Sequence, residues 1–191
     1  IDQFMWDFPE TVILVAAGND GPGMNKVGSP ATNKNGIAVG ASLNDETSWN
    51  INGRVSTRDA QLTKNALASF SSSGPTADGR LKPDICGIGE QVAGPDSDSD
   101  CGIRVDSGTS FSSPILGGAS VLIRQYFTDG FYPSGSAKTA DSFTPSGALI
   151  KAVLINGGQE LTSITDTVTS KKTSWGDDNQ GYGRAQLSNT L

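Results

Sequence analysis

A chain of 191 residues is long enough for one domain with a real core, and at about 100–200 residues per domain it leaves little room for two. With 35% hydrophobic and 18% charged residues it is not a disordered composition, and its 24 glycines, against a usual share of about 7%, point to many tight turns. The net charge of −6 disfavours a nucleic-acid or anionic-membrane partner, and no apolar run approaches the ~18 residues of a membrane span.

Residues 1–10 lead almost at once into the apolar run 11–17, and from that abrupt start a fragment is expected. No basic region with an apolar core, as in a targeting signal, opens the chain. Residues 11–17, rich in β-branched side chains and ended by Gly18-Asn19-Asp20-Gly21-Pro22, read as a fully buried strand of the parallel kind. The Gly/Asn/Pro-rich stretch 23–35 is a loop, and residues 36–42 form a second short strand. Residues 44–65 are polar and irregular; residues 68–72 follow as a strand ending in the turn Ser73-Gly74-Pro75. Leu81-Lys82-Pro83-Asp84-Ile85 is a short extended piece, confined by its proline to an edge or a strand start. From Pro114 onward, Ile115, Leu116, Ala119, Leu122, Ile123, Tyr126 and Phe127 recur at helical spacing, with Pro114 placed in the first turn. A second helix runs from the N-cap Ser146 to Ile155, where Leu149, Ile150, Val153 and Leu154 share one face and Asn156-Gly157-Gly158 stops it. The tail around Gln180-Gly181-Tyr182-Gly183-Arg184-Ala185 is turn-like.

Cys86 and Cys101 flank an acidic, Ser-rich segment. They are either two isolated thiols or a disulfide; the bridge would stabilise by roughly 3 kcal/mol and imply an oxidising, extracellular or secretory compartment. Two cysteines without a histidine do not make a zinc site, and no metal ligands are assigned. Asp96, Asp98 and Asp100 alternate with serines but lack the glycine and distal glutamate of an EF-hand, and read as a solvated loop. Trp6, Trp49 and Trp175 read as packing residues.

Gly108-Thr109-Ser110-Phe111-Ser112-Ser113-Pro114 carries the chemistry. It sets one hydroxyl between a tight glycine turn and the opening of a helix, whose positive end and free N–H groups suit a developing oxyanion. By itself Ser110 could equally be a helix cap, and Asn19 in Gly18-Asn19-Asp20-Gly21 a turn residue. A serine nucleophile also needs a base, and the sequence contains no histidine. A Ser-Lys pair with Lys82 or Lys151 is chemically conceivable, but neither lysine stands in a sequence context that suggests a buried amine of lowered pKa.

The Ser110 motif resembles the active-site serine signature of the subtilisin-like serine peptidases, the subtilases, with Phe111 and Ser112 where Met and Ala are typical. Ala16-Ala17-Gly18-Asn19-Asp20-Gly21 resembles the oxyanion-asparagine loop of that family. Val27-Gly28-Ser29-Pro30-Ala31 resembles the segment that floors its S1 pocket, and Ile37-Ala38-Val39-Gly40-Ala41 the strand after it. Phe70-Ser71-Ser72-Ser73-Gly74-Pro75, Leu81-Lys82-Pro83-Asp84-Ile85 and Gln180-Gly181-Tyr182-Gly183-Arg184 resemble later blocks, so the resemblance covers nearly the whole chain. Cys86-Gly87-Ile88-Gly89 departs from the usual Ala-Pro-Gly.

What the resemblance implies is an α/β, subtilisin-like fold with a mainly parallel sheet flanked by helices. It makes residues 1–191 the C-terminal portion of a catalytic domain, whose Asp- and His-bearing N-terminal portion is expected upstream or on a partner chain. It assigns Ser110 as nucleophile, Asn19 as oxyanion donor, and Ala17, Gly18, Gly28, Ser29, Pro30 and Thr109 as substrate-binding positions. The activity implied is endopeptidase hydrolysis of a protein or peptide substrate; the alternative is a non-catalytic subtilase-derived structural or interaction chain. Asp106, expected near the leaving-group side, would disfavour acidic substrate residues there. No cofactor is assigned, and the resemblance leaves room for a structural Ca2+ in the intact domain.

Overall fold

A computed structural model describes residues 1–23, 25–44, 50–51, 54–55, 65–165, 176–189 and 191. The chain enters through a short helix α1 (Asp2–Asp7) and then β1 (Leu14–Ala16). The central strand is β2 (Ile37–Ser42), buried at every position. It pairs in parallel with β1 on one side and with β6 (Ile85–Ile88) on the other. β5 (Ala66–Ala68) meets its end antiparallel at Ser42 and carries β9 (Ser163–Thr165) in parallel. Two small ribbons stand off this sheet: β3 (Asn50–Ile51) with β4 (Arg54–Val55), and β7 (Val92–Pro95) with β8 (Ile103–Asp106). The arrangement is α/β with a mostly parallel sheet, as the sequence implies.

Side chains alternate across β2, so its two faces pack differently. Ile37 and Val39 join Ile85 against Leu116, Ile123 and Phe127 of α2 (Thr109–Thr128) and Ile150 and Leu154 of α3 (Gly147–Asn156). Each of these buried side chains contributes roughly 1.5–3 kcal/mol of transfer free energy. Ala38 faces the other way, onto Ala17, Val27 and Ala31. The tail runs beside β6, where Cys86 N–H donates to Gly183 O (2.8 Å) and Ala185 N–H to Cys86 O (2.9 Å). α3 begins where the sequence places its cap, with Ser146 Oγ accepting from Leu149 N–H at 3.1 Å.

Several expectations shift. β1 is shorter than residues 11–17 and only partly buried, because among the described residues only β2 pairs with it. The strand expected at 68–72 lies earlier, at β5. Residues 71–73 are buried without a ladder, and their hydroxyls take over: Ser71 Oγ accepts from Ala41 N–H (3.0 Å) and Ser72 Oγ from Asp20 N–H (3.0 Å). Helix α2 begins five residues before Pro114, which therefore lies inside it rather than in its first turn. Most of 44–65, including Trp49, and also Trp175 lie outside the described residues. Trp6 is 77% exposed and does not pack as expected.

The Cys86–Cys101 bridge is not formed. Cys86 is fully buried in β6 with its thiol on Gln180 O (3.5 Å), whereas Cys101 is exposed at the tip of the β7–β8 ribbon. Burial pushes the Cys86 thiol pKa well above its ordinary value. The oxidising-compartment expectation loses the support that the bridge would have given it.

Candidate active site

The parallel strands β1, β2 and β6 end on one edge of the sheet, and the residues of the serine and asparagine motifs gather beyond that edge, the usual place for a site in an α/β sheet. Beyond β1 the chain turns at Gly18, whose φ of +112° suits glycine, and a Cβ there would come within 2.9 Å of Ser72 Oγ. Ser72 N–H donates to Gly18 O at 3.0 Å and fixes the loop from its other side. Beyond β6, Gly89 N–H donates to Ser42 O (3.1 Å) and Gly108 N–H to Gly89 O (2.7 Å). A Cβ on Gly89 would stand 2.2 Å from Ser112 Oγ, so this glycine lets the start of α2 sit directly on the strand end.

Helix α2 starts without a side-chain cap from its own segment. Asn19 supplies one from the β1 loop: its Oδ1 accepts from Thr109 N–H and from the Thr109 hydroxyl, both at 2.9 Å. Thr109 Oγ1 accepts in turn from Gly18 N–H at 3.2 Å. A backbone N–H can only donate, so the oxygen of the Asn19 amide must face Thr109 and its Nδ2 must turn away. Nδ2 has no acceptor among the described residues, and neither does Ser110 N–H, one of the first-turn donors that a helix leaves unpaired. Both atoms flank one point: an ideal Cβ on Gly108 would lie 3.4 Å from Asn19 Nδ2 and 3.7 Å from Ser110 N. Glycine leaves that point open. Ser110 itself is exposed, at the positive end of a 20-residue helix.

The other expected site residues divide by exposure. Gly28, Ser29 and Pro30 are exposed, and Gly28 faces open space; Lys26 and Val27 anchor that segment through N–H bonds to Ser73 O (2.9 and 3.1 Å). Ala17 and Thr109 are buried, so their side chains back the site instead of lining it. Asp106 lies on β8 with its carboxylate on Ser107 N–H (2.8 Å) and on Arg104 (3.2 Å), which leaves the Asp106–Arg104 pair formally neutral.

Lys82 corrects the sequence reading of the lysines. It is buried, and desolvation lowers its pKa although the Asp84 carboxylate, 2.6 Å away, works against that. It belongs to the opposite edge of the sheet, since Asp84 Oδ2 also accepts from Ala38 N–H at the start of β2 (2.7 Å). Lys82 is thus held by Asp84 and Lys151 by Gly36 O (2.7 Å), and neither is bonded to Ser110.

Ser72 and the β7–β8 ribbon escaped the sequence reading. The run of serines at 71–73 was the available signal for buried hydroxyls: those of Ser71 and Ser72 serve main-chain donors, and that of Ser73 donates to Asn179 Oδ1 (3.1 Å). Ser112, noted as a departure from the family pattern, buries an Oγ without a hydrogen-bond partner among the described residues. Among those residues no group of three or more His, Cys, Asp or Glu is placed to hold a metal, and no helix is long and apolar enough to cross a membrane.

Comparison with known proteins shows the family and the fold. The subtilase family model, Peptidase_S8, matches residues 1–183. The "Serine protease/ABC transporter B family protein tagD" of Dictyostelium discoideum is 30% identical over 84% of this chain and 13% of its own length. The "Serine protease AprX" of Bacillus subtilis (strain 168) is 38% identical over 62% of this chain and 27% of its own. Among solved structures, the prenylagaramide maturation protease PagA superposes with a TM-score of 0.62 at 20% identity, covering 98% of this chain and 52% of that one. The chain thus spans about half of that solved structure and a smaller part of those two relatives.

Proposed function

The chain belongs to the subtilase family, and on that premise we propose that it supplies the nucleophile and oxyanion hole of a serine endopeptidase. Ser110 Oγ attacks the scissile carbonyl, Ser110 N–H and Asn19 Nδ2 donate to the oxygen as it becomes negative, and an acyl-enzyme forms. The hydroxyl proton passes to a histidine, which returns it to the leaving amine; water then releases the acyl group by the same path in reverse. With no histidine among the 191 residues, that base and the aspartate that orients it come from a segment outside this sequence.

The observation that carries the reading is the fixed Asn19 amide. Its oxygen is held by Thr109, and its Nδ2 is left beside the same vacant point as Ser110 N. The exposed Gly28-Ser29-Pro30 stretch is where the residue before the scissile bond would rest. The test is peptide hydrolysis by the full-length protein beside its Ser110→Ala variant. Loss of all hydrolysis in the variant is expected; an unchanged rate would overturn the assignment.

A further inference from the structure

The β7–β8 ribbon is fastened at the end nearest Ser110. Gln91 N–H donates to Ser107 Oγ (2.9 Å) and Gly108 N–H to Gly89 O (2.7 Å), so β8 runs from the ribbon tip directly into the segment that carries the nucleophile. Nearer the tip, Asp96 N–H donates to Gly102 O at 2.9 Å, and the register continues through Gly94↔Arg104 and Val92↔Asp106. Bonded and non-bonded residues alternate in an antiparallel pair, so these residues bond across the ribbon while Ala93, Pro95, Ile103 and Val105 turn their main-chain groups outward. The two outer edges differ. Pro95 has no N–H and interrupts the β7 edge, a common protection of an exposed strand. The β8 edge carries no such guard: among the described residues the outward N–H and C=O of Ile103 and Val105 have no partner, and Ile103 is 47% exposed.

We propose that the outer edge of β8 is a docking strand for the substrate, pairing by strand addition with the chain that follows the scissile bond. The proposal rests on the Ser110 assignment and adds a substrate class: extended, unfolded polypeptide that reaches well beyond the bond being cut. Position decides which part of the substrate lies there. Gly28-Ser29-Pro30, tied through Ser73 and Ser72 to the loop after β1, takes the residue before the bond, which leaves the β8 side to the departing chain. Outward N–H and C=O groups supply affinity for any extended main chain, and side chains supply the preference. Ile103 and Val105 share a ribbon face with Ala93 and Pro95 that is apolar throughout, so the docked residues opposite them gain most as apolar, β-branched side chains. On the other face Arg104 and Asp106 pair with each other at 3.2 Å and add no net charge.

The test compares fluorogenic peptides cleaved by the full-length protein, alike up to the scissile bond and carrying either two or six residues, rich in valine and threonine, after it. The longer peptide should have a kcat/KM at least about tenfold higher, the effect of about two net hydrogen bonds. N-methylation of every amide beyond the second downstream residue removes the donors of the docked strand, and should bring the longer peptide within about twofold of the shorter. Ile103→Pro deletes an outward N–H without touching the β7–β8 ladder, and should lower the long-to-short ratio at least about threefold. Ala93→Pro makes the same change on the β7 edge and should keep the parent ratio. Equal hydrolysis of the two peptides, an N-methylated peptide cleaved as well as its unmethylated counterpart, an unchanged ratio in Ile103→Pro, or an equal loss in Ala93→Pro overturns the proposal and leaves the Ser110 assignment standing. Hydrolysis of neither peptide overturns both. The peptide comparison needs no variant, so it decides the matter even where Ile103→Pro does not fold.

Discussion

Replacing Asn19 in two ways separates its two jobs. Asn19→Ala removes both the oxygen that caps α2 through Thr109 and the Nδ2 donor beside Ser110. Loss of a helix cap costs about 1 kcal/mol, or about 2–4 °C in melting temperature for a domain of this size. Loss of one oxyanion donor costs about 10²–10³ in kcat, or about 2.7–4 kcal/mol, a range established in subtilisin itself and carried over here as to a family member. Asn19→Asp keeps an oxygen for Thr109 N–H and its hydroxyl, so the melting temperature should hold. It sets a carboxylate oxygen where the donor stood, so kcat should fall at least as far as in Asn19→Ala, with KM little changed. The assay is hydrolysis of a chromogenic peptide amide by the full-length variants near neutral pH, where the aspartate is ionised, beside their thermal melts. An Asn19→Asp protein that keeps kcat within about tenfold of the parent would refute the oxyanion role.

Gly108→Ala places a methyl group at the point flanked by Asn19 Nδ2 and Ser110 N, and kcat should drop about 10²-fold, measured on the same substrate. Iodoacetamide should label Cys101 alone in the native protein and both cysteines after denaturation, as read by peptide mass; protection of both until a reductant is added would restore the disulfide. Ser112→Ala removes a buried hydroxyl without a partner and should stabilise by about 1 kcal/mol, raising the melting temperature by about 2–4 °C. A lower melting temperature would mean that the hydroxyl has a partner.

The sequence reveals most where one residue type has one local use. Ser146 caps α3, and the apolar strand 37–42 is buried throughout, because each answers to its own neighbours. The start of α2 is less legible. Pro114 marks a helix start by local rules, yet the helix begins at Thr109 because its cap comes from Asn19, 90 residues away in sequence. Ser71 and Ser72 read as strand and act instead through their hydroxyls. Lys151 carries no local sign of its partners, since Asp84 and the carbonyls of Lys34 and Gly36 meet it only through the tertiary fold, whereas Lys82 lies two residues from its partner Asp84 and only the packing that buries it comes from elsewhere. The nucleophile and asparagine motifs are legible by resemblance, but the orientation of the Asn19 amide is a matter of tertiary contact alone.

The central claim is tested most directly by reacting the native full-length protein with a fluorophosphonate probe and mapping the modified peptide. Covalent attachment at Ser110, lost on prior denaturation, is the expected result. No attachment at Ser110, in a protein whose upstream aspartate and histidine are intact, would contradict the account.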